Sequence, residues 1–263
     1  MIALTGLKKS VVAMAHLPPL PGSPLYDRAG GMARIQDLIC RDIEALQEGG
    51  VDAIMFGNEG DRPYLLKSTP ESLAAMAVCV AQILPTLRVP FGVNYLWDPV
   101  ATVALAHATG ARFAREVFTG VYDSDMGLWQ PDAAAALRLR ANLGSETKLL
   151  FNINAEFAAP LGQRDTTAKA RSVVFSSLAD AICVSGPMTG ETGDVSTLAA
   201  VKRAVGDVPV FANTGVNRDN ITDIFRHADG VVVGTHLKRD GVTWNAVDPE
   251  RVKRFMDVVA GLR

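Results

Sequence analysis

The chain has 263 residues, 48% of them hydrophobic and 21% charged, with a formal net charge of −2. These values are typical of one domain with a large core, so we expect a single domain over residues 1–263. Basic and acidic residues alternate without long runs, which excludes a surface for nucleic acid. No apolar stretch is long enough to span a membrane and the N-terminal residues lack the order of a signal peptide, so we expect a cytoplasmic protein.

Eight short apolar runs alternate with longer amphipathic segments. The runs are residues 11–17, 53–59, 91–97, 111–118, 148–157, 181–186, 208–215 and 230–236. Runs that are apolar nearly throughout are typical of parallel strands buried on both faces, and each interval has room for one crossover helix. Eight such units predict an α/β fold of one closed (β/α)8 TIM barrel, and no GxGxxG motif follows the first run as a dinucleotide-binding sheet would require.

The intervals have the periodicity of helices that pack one face on a barrel. An apolar stripe in the first interval contains Ile35, Leu38, Ile39, Ile43 and Leu46. Three helices are predicted to begin at Thr69-Pro70, Asp98-Pro99 and Asp248-Pro249, because the polar residue can cap the helix and proline suits its first position.

Polar residues at the strand ends are the first candidates for a site, because loops after the strands form the active site of this fold. The candidates for substrate binding are Asn58, Asn94, Arg115, Asn152, Asn154, Ser185 and Asn213. A barrel interior needs only apolar side chains, so buried amides must bond to a ligand or to one another. Both interpretations stay open for each asparagine.

The last two loops indicate a phosphate site. Asn213-Thr214-Gly215 and Gly234-Thr235 place glycine beside threonine in the two loops where barrels commonly hold phosphate. Ser185-Gly186 could close over the same ligand. The alternative is that these glycines only form tight turns.

Acid–base catalysis is assigned to Glu59, Glu116 and Asp61, with His16 as a further candidate. A carboxyl group in a partly dry barrel mouth can have a pKa suited to proton transfer. Glu116 could instead pair with a neighbouring arginine. A Schiff-base mechanism is excluded because Lys148 opens its strand at the wrong end and Lys238 lies beyond the eighth strand.

A divalent metal such as Mg²⁺ is a further alternative, although no cofactor is certain. The first and eighth strands are neighbours in a closed barrel, so His16 and His236 could meet near Glu59 and bind a metal ion. Histidines that only form hydrogen bonds are the other interpretation.

Five segments in a fixed order carry a resemblance to a known family. They are HLPPLPGSPLY at 16–26, GVN at 92–94, VSGPMTG at 184–190, NTGVNRDNI at 213–221 and VVGTHLKRDGVTWNAVD at 232–248. The chain resembles the BtpA/SgcQ family from about residue 10 to residue 258. The resemblance implies a βα barrel. Some members are linked to photosystem I accumulation, and others lie among sugar-transport genes or carry a nucleoside triphosphatase label.

The chain also departs from that family's pattern in the expected mouth of the site. Many members have Glu-Asn where Gly57-Asn58 stands here, followed by an aromatic residue where this chain has Glu59. The usual Arg-Val-Asn appears as Arg115-Glu116-Val117, and Asp-Val followed by Lys-His appears as Asn152-Ile153 followed by Glu156-Phe157. These changes of charge suggest a divergent branch with its own substrate.

The leading hypothesis is an enzyme that acts on a phosphorylated small molecule, such as a sugar phosphate or nucleotide-like compound, by acid–base chemistry. The alternatives are a non-catalytic assembly or regulatory protein and a nucleoside triphosphatase. We expect a homo-oligomer, because barrels often pair through their outer helices.

Overall fold

The computed structural model describes residues 6–263 and contains the closed barrel that the sequence predicts. Its eight parallel strands are β1 (Ser10–His16), β2 (Ala53–Gly57), β3 (Phe91–Asn94), β4 (Phe113–Glu116), β7 (Lys148–Asn152), β9 (Ala181–Ser185), β10 (Val210–Asn213) and β11 (Gly230–Val233). Each strand pairs with the next in this order, and β11 pairs with β1 to close the barrel. All eight predicted strands are present.

The helices lie between the strands. They are α1 (Gly31–Glu48), α2 (Pro70–Ile83), α3 (Pro99–Thr109), α4 (Ala133–Asn142), α5 (Thr166–Ser176), α6 (Val195–Val205), α7 (Ile221–Ile224) and α8 (Pro249–Ala260). The three predicted starts are confirmed, because Thr69, Asp98 and Asp248 each accept a hydrogen bond from the first turn of their helix. Among the helices of residues 6–263, none has the length and apolar character that a bilayer crossing requires.

Most of the strands end earlier than predicted. The run 208–215, for example, becomes β10 over Val210–Asn213, and the run 148–157 ends as a barrel strand at Asn152. The apolar residues beyond the strand ends belong to loops that cover the barrel mouth, where burial does not require a strand. An apolar run therefore located each strand and, for seven of the eight, overestimated its length.

The sequence reasoning missed a small antiparallel sheet beside the barrel. Its strands are β5 (Tyr122–Ser124), β6 (Gly127–Trp129) and β8 (Ala158–Pro160), in the order β6-β5-β8. Tyr122 and Trp129 lie in contact on this sheet and pack with Trp97 in a separate apolar cluster. The sheet holds the loops after β4 and β7 in place at one side of the mouth.

The barrel interior is apolar near its amino end and polar at its mouth. Residues from seven strands form the inner apolar cluster, which includes Met14, Met55, Phe113, Leu150, Cys183, Phe211 and Val232. Because side chains in a strand alternate between two faces, the inward position two residues further along each strand lies at the mouth. The larger apolar core lies outside the strands, between the barrel and the helices.

Candidate functional site

The last inward positions of seven strands, together with Gly234 directly after β11, form a ring at the barrel mouth. They are His16, Gly57, Asn94, Arg115, Asn152, Ser185, Asn213 and Gly234. Six of these eight residues are polar, and the other two are glycines. Polar side chains stacked directly on an apolar interior indicate that the carboxyl end of the barrel is the site.

Arg115 is 5% exposed, and its side chain reaches from β4 across the mouth to β10. Its guanidinium donates to Oδ1 of Asn213 at 2.6 Å and to Oδ1 of Asn94. Asn94 in turn donates to the Glu116 carboxylate at 2.7 Å. Within residues 6–263, Nε of Arg115 has no hydrogen-bond partner. The two asparagines therefore fix the cation while leaving one of its donors available.

Glu156 is part of the same network, although the sequence reasoning did not select it. Its Oε1 accepts a hydrogen bond from Asn213 at 3.3 Å and its Oε2 accepts one from Thr189 at 3.1 Å. Asn213 also donates to Ser185 at 2.7 Å. Burial raises the pKa of Glu156, while Arg115 acts in the opposite direction.

The Glu59 carboxyl group folds back into the mouth over Gly57. A Cβ at position 57 would lie 2.4 Å from Oε2 of Glu59, so only glycine leaves room for this conformation. Burial raises the pKa of Glu59 to about 7, although Arg115 and the backbone N–H of Glu59 itself act in the opposite direction. Oε2 has no hydrogen-bond partner in the described part of the chain.

His16 faces Glu59, with 3.5 Å between Nε2 and Oε1. Burial lowers the pKa of His16, and the positive charges of Lys238 and Arg115 lower it further, while the Thr243 backbone acts in the opposite direction. His16 is therefore neutral at neutral pH. Gly234 makes room for its ring, because a Cβ there would lie 3.0 Å from the imidazole.

These side chains enclose a small space of about 40 Å³, which we call the inner cavity. Its lining residues are Met14, His16, Glu59, Arg115, Glu156, Thr189, Gly190, Asn213, Thr214, Gly215, Val232, Gly234 and Thr235. The inner cavity thus combines two carboxyl groups, one guanidinium and one imidazole with the two predicted phosphate loops.

The predicted phosphate loops are covered by the loop after β9. Thr214 accepts a hydrogen bond from the Gly186 N–H at 2.6 Å and donates to the Glu191 carbonyl at 2.9 Å. A Cβ on Gly215, whose φ is +60°, would lie 2.2 Å from the Thr192 nitrogen. Glycine is therefore required here by neighbouring backbone as well as by φ. Within residues 6–263, the N–H groups of Gly215 and Thr235 donate to no protein acceptor.

Asn58 and Asp61 lie outside the inner cavity and hold two loops together. Asn58 accepts from the Leu96 N–H at 2.7 Å and donates to Asp61 at 3.1 Å. Asp61 also accepts from the Leu20 N–H at 2.7 Å and from Ser72 at 3.0 Å. Both carboxylate oxygens of Asp61 thus accept hydrogen bonds from within the protein.

The remaining predicted residues lie beside the inner cavity without lining it; Asn152 and Glu116 are buried, and Asn154 is half-buried. Asn154 clamps the backbone of Ser185, donating to its carbonyl at 2.5 Å and accepting from its N–H at 2.9 Å. Asn152 is 1% exposed, and its amide has no partner in the described residues. Glu116 accepts from Asn94 and from the Val117 N–H, and burial raises its pKa to about 8.

The structure does not bring together the possible metal-binding set of His16, Glu59 and His236. His236 belongs to a short 3-10 helix after β11, and its ring packs against Phe255 of α8 with 5.7 Å between centroids. It therefore points away from the inner cavity. Nowhere in residues 6–263 do three His, Cys, Asp or Glu side chains come together in a way that could hold a metal ion.

A buried ion pair lies behind His16. Lys238 is 2% exposed and donates to Asp42 of α1 at 2.6 Å, and Asp42 also accepts from the Val247 N–H at 2.8 Å. The sequence carried a signal for this pair, because Asp42 stands on the apolar stripe of α1 between Ile39 and Ile43. A charged residue in such a stripe requires a buried partner.

Comparison with known proteins is consistent with this architecture. The model of the BtpA family matches residues 7–261. The chain belongs to the BtpA family. It is 48% identical to the sgc region protein SgcQ of Escherichia coli, with 98% of this chain and 97% of SgcQ aligned. It is 33% identical to the photosystem I biogenesis protein BtpA of Synechocystis sp., with 95% of this chain and 88% of BtpA aligned.

Solved structures confirm the fold of this family member. Phosphoribosyl anthranilate isomerase from Thermus thermophilus matches with a TM-score of 0.59, covering 97% of this chain and all of that one. The sequence identity is 14%, so the match concerns the barrel alone. The family model and the two relatives confirm the resemblance to the BtpA/SgcQ family that the motifs indicated.

Proposed function

We propose that this protein is an enzyme that performs acid–base chemistry on a small phosphorylated molecule at the barrel mouth. One observation carries the proposal: Oε2 of Glu59 and Nε of Arg115 are both buried, both belong to residues that line the inner cavity, and both lack a partner within residues 6–263. A buried polar group without a partner costs about 1–3 kcal/mol. A ligand with its own donors and acceptors would remove that cost.

Glu59 is the proposed acid–base group. With a pKa of about 7 it is present in both protonation states at neutral pH, so it can take or give a proton. Neutral His16 lies 3.5 Å from the Glu59 carboxyl group. It is therefore placed to exchange a hydrogen bond with the substrate atom that Glu59 protonates or deprotonates. Arg115, fixed by Asn94 and Asn213, is placed to stabilise negative charge that develops on the substrate.

The phosphate group is assigned to the side of the inner cavity formed by the loops after β10 and β11. The available N–H groups of Gly215 and Thr235 are suitable donors for an anion. Arg115 makes this region positive, whereas burial favours the neutral forms of Glu59 and Glu156. An anion is therefore favoured in spite of the two carboxyl groups.

A thermal-shift screen with sugar phosphates and nucleotides, with and without Mg²⁺, tests ligand binding. A ligand at a hundred times its Kd stabilises the folded state by about 2.7 kcal/mol, which should raise Tm by about 5 °C or more. A non-catalytic assembly protein, the role suggested by the name of the Synechocystis relative, predicts no such shift. Absence of a shift with every phosphorylated compound would therefore favour assembly over catalysis.

Turnover measurements on the identified ligand test the role of Glu59. Glu59→Gln should lower kcat by roughly a hundredfold or more, because an amide cannot transfer the proton. The matched control is Glu116→Gln, which removes a buried carboxyl group that does not line the inner cavity and should change kcat much less. Equal effects of both substitutions would contradict the assignment.

A further inference from the structure

A larger cavity adjoins the inner cavity at the barrel mouth. It measures about 450 Å³, and Tyr64, Met126, Phe157, Met188, Thr189 and Trp244 are among its lining residues. We call it the outer cavity. Thr189 lines both cavities, so they share a wall. The volume is within the range of about 300–1,000 Å³ that small-molecule sites occupy, and far exceeds what a phosphate group needs.

Aromatic residues and methionines from separate loops make up five of the ten residues that line the outer cavity. Tyr64 follows β2, Phe157 precedes β8, and Trp244 lies between β11 and α8. The rings of Tyr64 and Phe157 are 6.1 Å apart. Tyr64 is also bonded to the loop that carries the acid–base group, because its hydroxyl donates to the Glu59 carbonyl at 3.1 Å.

Trp244 and Met188 are unusually exposed for side chains of their type. Trp244 is 50% exposed and Met188 is 43% exposed, although both line a concave surface. The Arg62 guanidinium stacks on Trp244, 3.6 Å from the ring centroid. A flat tryptophan face beside a stacked guanidinium is a surface that binds another planar group well.

We propose that the outer cavity binds a planar heterocycle that belongs to the same ligand whose phosphate occupies the inner cavity. This inference rests on the proposed function and narrows its substrate class to nucleoside monophosphates and chemically similar compounds. A simple sugar phosphate would satisfy the polar inner cavity and leave the aromatic walls in water. A nucleotide whose base stacks on Trp244 would cover the aromatic walls as well, since stacking on aromatic side chains tolerates any base.

Trp244 also provides a direct signal for such binding. The chain has three tryptophans, and the other two, Trp97 and Trp129, are each 2% exposed. A base that stacks on Trp244 should therefore quench the solvent-exposed part of the tryptophan fluorescence. Quenching reports on the outer cavity independently of any phosphate contact.

The test compares inorganic phosphate, ribose 5-phosphate, adenosine 5′-monophosphate and uridine 5′-monophosphate by calorimetry and by fluorescence. At least one nucleotide should bind ten- to a hundredfold more tightly than ribose 5-phosphate, which is the usual effect of one stacked base, and should quench Trp244. Trp244→Ala should remove this preference while the affinity for ribose 5-phosphate stays within about twofold. Trp244→Phe should retain most of the preference.

Phe175→Ala is the matched control, because Phe175 is an aromatic residue that is 87% exposed on α5 and does not line either cavity. It should leave every affinity unchanged. Equal affinities for ribose 5-phosphate and both nucleotides, without quenching, would overturn the inference and leave the proposed function intact. If no phosphorylated probe binds, the proposed function fails, and adenosine and uridine alone then test the outer cavity: no quenching by either nucleoside refutes it.

Discussion

Glu59→Gln should change the pH dependence of stability in a direction fixed by the Glu59 pKa. Glu59 is 6% exposed, and burial is the main cause that raises its pKa from 4.5 to about 7. Between these two values the folded protein holds a proton that the unfolded chain releases. The contribution of Glu59 to stability therefore falls as the pH rises from about 4.5, and the loss is complete above about pH 7.

The size of this loss follows from the same two values. A change from 4.5 to about 7 corresponds to about 3 kcal/mol. The amide of the variant has no proton to release, so the wild-type free energy of unfolding should fall relative to that of the variant by up to about 3 kcal/mol between about pH 5 and pH 8. Urea denaturation at each pH measures both proteins, and buried groups that do not contact Glu59, such as Glu116, cancel in the difference. Parallel pH curves would refute the reasoning.

Three further substitutions test separate parts of the site. Gly57→Ala should displace the Glu59 carboxylate, since the new Cβ would lie 2.4 Å from it, and should lower kcat at least tenfold with little loss of Tm; an unchanged kcat would exclude the need for glycine. Lys238→Met should lower the free energy of unfolding in urea by about 3–5 kcal/mol by leaving Asp42 buried and unpaired, and Asp42→Asn in the same chain should restore part of it. Asp61→Ala should cost about 3 kcal/mol through three lost hydrogen bonds yet leave ligand affinity in calorimetry unchanged, whereas a loss of affinity would return Asp61 to the site.

The barrel and the location of its site could be predicted because both depend on local patterns. Apolar runs, crossover intervals and capping residues such as Asp98 each identify an element without knowledge of its neighbours. Parallel closure then brings all carboxyl ends to one face, so Arg115 and Asn213 could be expected together although 98 positions separate them. The sequence reasoning could not say which amides serve a ligand. Asn213 holds Arg115 in the inner cavity, whereas Asn58 ties loops together.

The missed features depend on loop conformation, which local patterns do not determine. Glu156 was expected at the end of a long strand, but β7 ends at Asn152 and the chain then turns so that Glu156 enters the inner cavity. The sequence reasoning placed Lys238 beyond the eighth strand, and in the sequence it does follow β11. The short 3-10 helix after β11 nevertheless carries it back into the protein interior beside α1, where Asp42 neutralises it.

The geometry of Gly57 and Glu59 changes how the departure from the family pattern should be interpreted. The pattern that the sequence resembles has a glutamate at position 57, and this chain has glycine there and glutamate two residues later. Position 57 is the last inward position of β2, and the Glu59 carboxylate occupies the space that a Cβ at position 57 would enter. In this chain a glutamate at position 57 would therefore compete with Glu59 for the same space, so only one of the two positions can hold its carboxyl group there. The departure from the pattern is thus consistent with a carboxyl group that has moved along the chain, as the proposed acid–base chemistry requires.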